Sequence, residues 1–351
     1  SYGWTQTFGG SATERAEGVA VYGGTVYAVG SLQSTNAGVG GAGSVSTVGN
    51  QDAFVLALNA STGAPVTGFS GDGVQTFGGS QLDAAWGVVV TSTTVYVVGE
   101  FASPNAGIGG VTGSIAPVGQ VDAFVLVLDS TTGAAVTSFS GDGVQTFGGT
   151  LNDYGYGIAI SGSTLYVVGK FSSANAGIGG SGLIFTLGGV DGYVLALNAT
   201  NGNAVTSFSG DGVQLLSGSS DEAAYGVCVS GGVVYATGSF TSGNLGIGNF
   251  GSVSSAGGSD AFVVALSAST GAAVTAFRGN GIQTFGGGQD DSGYAVAASG
   301  TALYVAGYFR SINAQLGGSG PTVAAAGVYD AFMLALSASS GSVLTNYTGR
   351  G

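Results

Sequence analysis

Gln6-Thr7-Phe8-Gly9-Gly10 returns as Gln75-Thr76-Phe77-Gly78-Gly79, Gln145-Thr146-Phe147-Gly148-Gly149 and Gln283-Thr284-Phe285-Gly286-Gly287, with a degenerate copy at Gln214-Leu215-Leu216-Ser217-Gly218. The spacing is 69 or 70 residues throughout. A fixed period of this kind marks a chain built by repetition, as a propeller, a solenoid or an array, because each unit buries its apolar face only against a neighbour.

One copy reads as four strands. In the second, Ala85-Trp86-Gly87-Val88-Val89-Val90 alternates at period two and turns at Ser92-Thr93-Thr94 into Val95-Tyr96-Val97-Val98-Gly99, the pattern of a β-hairpin. A Gly-rich connection from about Ser103 to Gln120 leads to Ala123-Phe124-Val125-Leu126-Val127-Leu128, whose unbroken apolar content suits a strand covered on both faces. After the turn Ser130-Thr131-Thr132-Gly133, the segment from Ala135 through Gly141-Asp142-Gly143 to Phe147 reads as a bulged outer strand. No window keeps helical periodicity.

The chain ends bear on whether the units close. The last copy stops at Tyr347-Thr348-Gly349-Arg350-Gly351, short of the piece equivalent to Val74-Gln75-Thr76-Phe77, and Thr5-Gln6-Thr7-Phe8 precedes the first full copy. The expected fold is therefore all-β: a five-bladed β-propeller of four-stranded antiparallel blades, closed by the N-terminal strand pairing into the last blade. One domain is expected over residues 1–351, with repeats at about 8–76, 77–146, 147–215, 216–284 and 285–351 and residues 5–8 completing the last.

Composition bounds the partners. Only 7% of residues are charged, against about 25% in ordinary soluble domains, so the surface is built from Ser, Thr, Gly, Asn and Gln. Eighteen acidic against five basic residues give a net charge of −13, which repels phosphate backbones and anionic headgroups, so no nucleic acid partner is expected. Apolar runs are short and broken by Gly, so no membrane insertion is expected. A polar, lysine-poor surface and a start at Ser1 without Met read as a mature or excised chain that is secreted or held at a cell surface. The single cysteine, Cys228, falls in an apolar strand where other copies carry Ala159 or Ala297 and reads as buried and inert.

The order of motifs in each copy (Phe-Gly-Gly, an acidic residue, a Gly-Val or Gly-Ile strand, Val-Tyr-x-x-Gly, then Asp-Ala-Phe-Val) resembles the SBBP-type β-propeller repeat of secreted bacterial proteins. Gly257-Gly258-Ser259-Asp260-Ala261-Phe262-Val263-Val264-Ala265-Leu266 carries it best. The resemblance covers all five copies and implies a propeller and a secreted or surface location, with no activity attached. That family is named for seven blades, and the insert around Ser70-Gly71-Asp72-Gly73 lengthens the outer strand here, so blade number does not transfer.

Positions that recur in every copy read as architecture. Asp52, Asp122, Asp191, Asp260 and Asp330 open the third strand and are placed to accept N–H bonds from the preceding loop. Tyr27, Tyr96, Tyr166, Tyr235 and Tyr304 in the second strand read as packing between units, each hydroxyl needing a partner. Glu14, Asp83, Asp153, Glu222 and Asp291 stand before the first strand, either capping their own loops or ringing a channel mouth. Asn36, Asn105, Asn175, Asn244 and Asn313 begin the long loops, where an amide serves either a turn or sugar hydroxyls.

Positions that break the recurrence point to a single site. Ser31, Glu100, Lys170, Ser239 and Tyr308 end the second strand of successive copies, with Arg310 nearby, and Glu100, Lys170, Tyr308 and Arg310 join the Asn residues as candidate ligand contacts. Glu17 replaces the Trp86, Tyr156, Tyr225 and Tyr294 of other copies, while Asp221-Glu222 and Asp290-Asp291 double the charge, so Glu17, Asp221, Glu222, Asp290 and Asp291 form a candidate arc for a divalent cation such as Ca2+. No cofactor is required by any of these readings.

Without histidine, and with one cysteine and no Gly-Lys-Ser or Gly-Lys-Thr, the common nucleophile triads, zinc sites and P-loops are missing. Carboxylate glycosidase chemistry is the only catalytic route left, and two tryptophans supply few subsites for it. The expected function is a non-enzymatic extracellular or cell-surface binding or adhesion module that recognises a glycan, surface polymer or surface protein on its loop-rich face. The alternative is a self-associating structural subunit of a surface layer or filament.

Overall fold

The computed structural model describes residues 3–180, 182–248, 251–317 and 322–344. Tyr347-Thr348-Gly349-Arg350-Gly351, expected to break off the last outer strand, lies outside the described residues. Every described element is a β-strand. The chain packs as two compact units, one of Ser1–Ile158, Ser173–Phe185 and Thr200–Gly202, the other of Ala159–Ser172, Thr186–Ala199 and Asn203–Gly351.

In the first unit, repeat 2 sets Asp83–Val90, Thr94–Phe101, Asp122–Asp129 and Val144–Gly148 side by side, antiparallel and in chain order. Repeat 1 repeats that order with Glu14–Tyr22, Thr25–Leu32, Asp52–Asn59 and Val74–Gly78. In the second unit, repeat 4 does the same with Glu222–Ser230, Val233–Phe240, Asp260–Ser267 and Ile282–Gly286, and repeat 5 with Asp291–Ser299, Ala302–Phe309 and Asp330–Ser337. Thr164–Phe171, Asp191–Asn198 and Val213–Ser217 of repeat 3 also pair in chain order there. The third strand of repeat 2 is sealed on both faces, every residue from Ala123 to Leu128 being buried as the unbroken apolar run requires, whereas that of repeat 5 is exposed at Ala331 and Met333.

A fifth short strand is lent by the following repeat. Phe77 and Gly78 pair with Ile108 and Gly107 in the long loop of repeat 2, and Phe285 and Gly286 pair with Leu316 and Gln315 in that of repeat 5. Each fourth strand thus belongs to one sheet and grips the loop of the next. Phe8 and Gly9 pair with Val39 and Gly38 in the same way, and Phe8 packs on Phe54 at 4.7 Å between centroids, as Phe77 packs on Phe124 at 4.6 Å.

The outer strand is shorter than its sequence suggests. It begins at Val144 rather than Ala135, because Ser140 (φ 54°), Gly141 (φ 92°) and Gly143 (φ 89°) take left-handed conformations that turn the chain. Asp142 fixes that turn by accepting the Val144 N–H at 2.9 Å. The bulge lies instead in the first strand, between Ala16 and Gly18, Ala85 and Gly87, Ala224 and Gly226, and Gly293 and Ala295.

Apolar side chains of one repeat's third strand meet the first and second strands of the next. Val55 and Ala57 share a cluster with Ala85, Val88 and Val97, and Val263 and Ala265 share one with Val296, Leu303 and Val305. Tyrosine hydroxyls cross the same junctions: Tyr27 donates to Ser130 O, Tyr166 to Ala268 O and Tyr235 to Ala338 O, each at 2.7 Å. The packing role read from their recurrence holds at these three. At Gly226 the first strands come so close that a Cβ would lie 2.6 Å from Tyr294 O. Glycine is needed there for room.

Candidate functional site

The recurrent acidic residues are structural in their bonding. Asp52, Asp122, Asp191, Asp260 and Asp330 accept the N–H of the residue four positions earlier (Val48, Val118, Leu187, Ala256 and Ala326) at 2.5–2.9 Å. The second set caps its own loops. Asp83 takes N–H bonds from Gly79, Ala102 and Ser103 and the Ser103 hydroxyl, Asp291 those of Gly287, Arg310 and Ser311 and the Ser311 hydroxyl, and Glu222 the Ser242 hydroxyl. Glu14 accepts from Gly10 N and Ser34 N. Burial pushes the Asp52 carboxyl up to about 6 and those of Asp122 and Asp260 up to about 7, with Asp83, Asp153 and Asp291 beside them adding to the rise. Burial likewise takes Glu222 up to about 7 and raises Asp191 and Asp83.

Sequence reasoning missed the serines that complete this frame. Ser34, Ser103, Ser173, Ser242 and Ser311 are wholly buried, two positions before each loop Asn. Their hydroxyls accept the N–H of Ala12, Gln81, Leu151, Ser220 and Gln289. The repeated Ser-x-Asn spacing was the signal available.

The five loop asparagines are occupied at their oxygens. Oδ1 of Asn36, Asn105, Asn175, Asn244 and Asn313 accepts the N–H of Ser11, Ser80, Thr150, Ser219 and Gly288 at 2.8–3.0 Å. The hydroxyls of Ser11, Ser80 and Thr150 donate to the same oxygens. The turn-forming half of the reading is the one that this geometry carries.

The carboxylates expected in one cation arc are used separately. Glu222 and Asp291 are buried in the loop frame, Asp221 Oδ1 accepts the Val190 N–H, and Asp290 pairs with Arg310 at 3.7 Å while accepting the Ser259 N–H. Glu17 is exposed in the first unit. Among the described residues no three Asp, Glu, Cys or His side chains gather as metal ligands. Loop N–H and O–H donors and Arg310 thus occupy Asp221, Glu222, Asp290 and Asp291 one by one, and these four do not form the expected arc.

Three expected residues do come together, in the second unit, around aromatics that the sequence reading passed over. The first-strand bulge turns Tyr225 and Tyr294 out side by side, stacked at 4.9 Å and 22°. Tyr308, across from Ser292 and Ala331, extends the row to Tyr294 at 5.7 Å and meets Tyr329 edge-on at 5.1 Å. The Arg310 guanidinium lies 5.8 Å over the Tyr329 ring and is held toward Asp290. Tyr294 is 51% exposed and Tyr329 55%, Tyr308 is half-buried, and burial together with the neighbouring tyrosines and Asp290 raises the Tyr308 hydroxyl. The result is an open aromatic shelf edged by one cation and one anion.

The corresponding place in the first unit is differently furnished. Trp86 meets Tyr156 edge-on at 5.9 Å, Tyr154 stacks on Tyr156 at 6.0 Å, and the Trp86 indole N–H donates to Glu100 Oε2 at 2.6 Å. Glu100 thus braces the indole. Lys170, at the same strand position of repeat 3, belongs to the second unit, where it stands opposite Gly192, half-buried.

No family model matches this chain, and no curated protein matches it. Among solved structures it is similar to a computationally designed protein, Ika8, at 11% identity and a TM-score of 0.34 over 94% of this chain and 86% of that one. A likeness that slight bears on neither fold detail nor function.

Proposed function

We propose that the chain is a secreted or cell-surface binding module that holds a glycan on the shelf of Tyr225, Tyr294, Tyr308 and Tyr329. The supporting observation is a tyrosine row, exposed at Tyr294 and Tyr329 and half-buried at Tyr225 and Tyr308, with an Arg310–Asp290 pair at its rim. Sugar rings present C–H faces that lie on aromatic rings and hydroxyls that need a donor and an acceptor beside them. The shelf supplies all three. Asp290 is ion-paired and Asp291 is sealed among loop donors, so this surface lacks the two free carboxyl groups that glycoside hydrolysis divides between acid and nucleophile. Binding without chemistry is the fitting role. A glycan array, repeated with Tyr294→Ala and Tyr308→Ala, tests it: hits lost in both variants support the shelf, and hits retained in both, or none in the parent, refute it.

The same proposal takes the repeats to be the blades of a closed five-bladed propeller of the SBBP-like type. Val88, Ile158 and Val296 are buried at one first-strand position and Val55, Val125, Val194 and Val263 at one third-strand position, yet Val19 is 68% exposed and Met333 70%. Repeat 1 and repeat 5 each expose the face that elsewhere meets a neighbour. Closure would cover both. The same two faces favour the second reading, a head-to-tail filament of copies, and light scattering separates them: a monomer supports the ring, concentration-dependent growth the filament.

A further inference from the structure

We infer that each described junction between consecutive repeats is locked by two buried carboxyl groups holding one proton between them, so that the stack tightens in acid and loosens toward neutral pH. The pairs are Asp52 with Asp83, Asp122 with Asp153, Asp191 with Glu222, and Asp260 with Asp291. In each, the first acid opens the third strand of one repeat and the second opens the first strand of the next.

The geometry distinguishes the partners. Gly78 separates Asp52 from Asp83, and a Cβ on it would lie 2.5 Å from Asp52 Oδ1 and 2.8 Å from Asp83 Oδ2. Asp83 already receives four donors, Ser103 supplying two of them, which suits an ionised group. Asp52 receives one, on Oδ2, and its Oδ1 is sealed from solvent without a partner. An ionised oxygen buried without a donor is costly, whereas the O–H of a neutral acid aimed at the neighbouring carboxylate satisfies both. Asp122 and Asp260 also carry an orphaned, buried Oδ1, and the loop-capped Asp153 or Asp291 is the neighbouring carboxyl whose charge bears on each. Asp191 and Glu222 lie within hydrogen-bonding reach of each other, and the oxygens without other partners are Asp191 Oδ1 and Glu222 Oε2.

A proton fits these places better than a metal ion. A hard cation wants roughly six to eight oxygens, and here the other carboxylate lone pairs face N–H and O–H donors. The titratable groups bearing on the first acid of each pair are carboxyls: Asp83 on Asp52, Asp153 on Asp122, Glu222 and Asp221 on Asp191, and Asp291 on Asp260. Tyr154 stands by Asp153.

The sign follows from linkage. A carboxyl whose folded value is raised binds more protons folded than unfolded, so its stabilisation is full below the unfolded value near 4 and is lost as pH rises through about 6 to 7. The full chain should unfold in urea with an equilibrium constant larger at pH 7 than at pH 5, by about tenfold from the Asp52 junction and by more from those of Asp122 and Asp260. Infrared spectra at pH 6 should show a protonated-carboxyl band that unfolding removes. Asp122→Asn, whose amide N–H replaces the acid O–H, should weaken both signals, and Asp260→Asn should do the same at another junction. General repulsion among surface acids would give a pH slope that both variants keep. That result, or the absence of the infrared band, overturns the inference.

Discussion

Gln75 Nε2 donates to Gly133 O at 2.7 Å, reaching from the fourth strand of repeat 1 to the turn that follows the third strand of repeat 2. Its Oε1 accepts the Thr76 N–H at 3.1 Å, so the buried amide is used at both ends. Gln145 makes the equivalent bond to Gly202 O at 2.9 Å, and Gln6 to Gly63 O at 3.0 Å. Gln75→Ala should therefore lower stability by about 1–3 kcal/mol, since it strands buried polar groups on both sides of a junction. Urea denaturation is the check, with a loss below half a kilocalorie per mole counting against it.

Ser103→Ala should cost a similar amount. The Ser103 hydroxyl donates to Asp83 Oδ2 at 2.5 Å and accepts from Gln81 N at 2.9 Å without reaching solvent. Removing it leaves a buried N–H unpaired and takes one donor from an ionised carboxylate, worth about 1–3 kcal/mol. Ser103→Thr, which keeps the hydroxyl but crowds the site, separates the bond from the volume in the same urea denaturation.

Phe8→Ala probes the N-terminal segment. Phe8 packs on Phe54 and pairs with Val39, the positions that Phe77 holds toward Phe124 and Ile108. Loss of that ring should lower Tm by several degrees, the shift expected for about 1–3 kcal/mol in a chain of this size. An unchanged Tm would show that the segment contributes nothing to the first repeat.

Cys228 should resist thiol reagents in the folded chain. It is half-buried between apolar neighbours, and burial pushes its thiol up to about 11, so little thiolate exists at pH 8. Slow labelling in buffer and fast labelling in denaturant are expected, and fast native labelling would contradict the packing described.

Much of the repeat was readable before any coordinates. Phe77 and Phe147 at the same phase announced the outer strands, and Asp122 at the strand entry announced its N–H partner, because local spacing determines both. What stayed hidden was relational. Asp52 and Asp83 lie 31 positions apart and meet only because the chain returns past Gly78, which no local pattern encodes. Tyr225 and Tyr294 entered the reading only as the aromatics that Glu17 replaces, and their stacking across two repeats at the first-strand bulges is not encoded in either copy alone.

The fourth strand that serves one sheet while gripping the next loop has a consequence for how such a chain grows. A segment running from one Phe-Gly-Gly to the next contains three strands of its own sheet and the strand completing it, together with the loop that its predecessor holds. The boundary of duplication therefore need not coincide with the boundary of a sheet. Any insertion or deletion of one period, cut at any matching phase, restores every pairing on both sides of the join. Copy number can in this way change by whole periods without leaving an unpaired strand at the join.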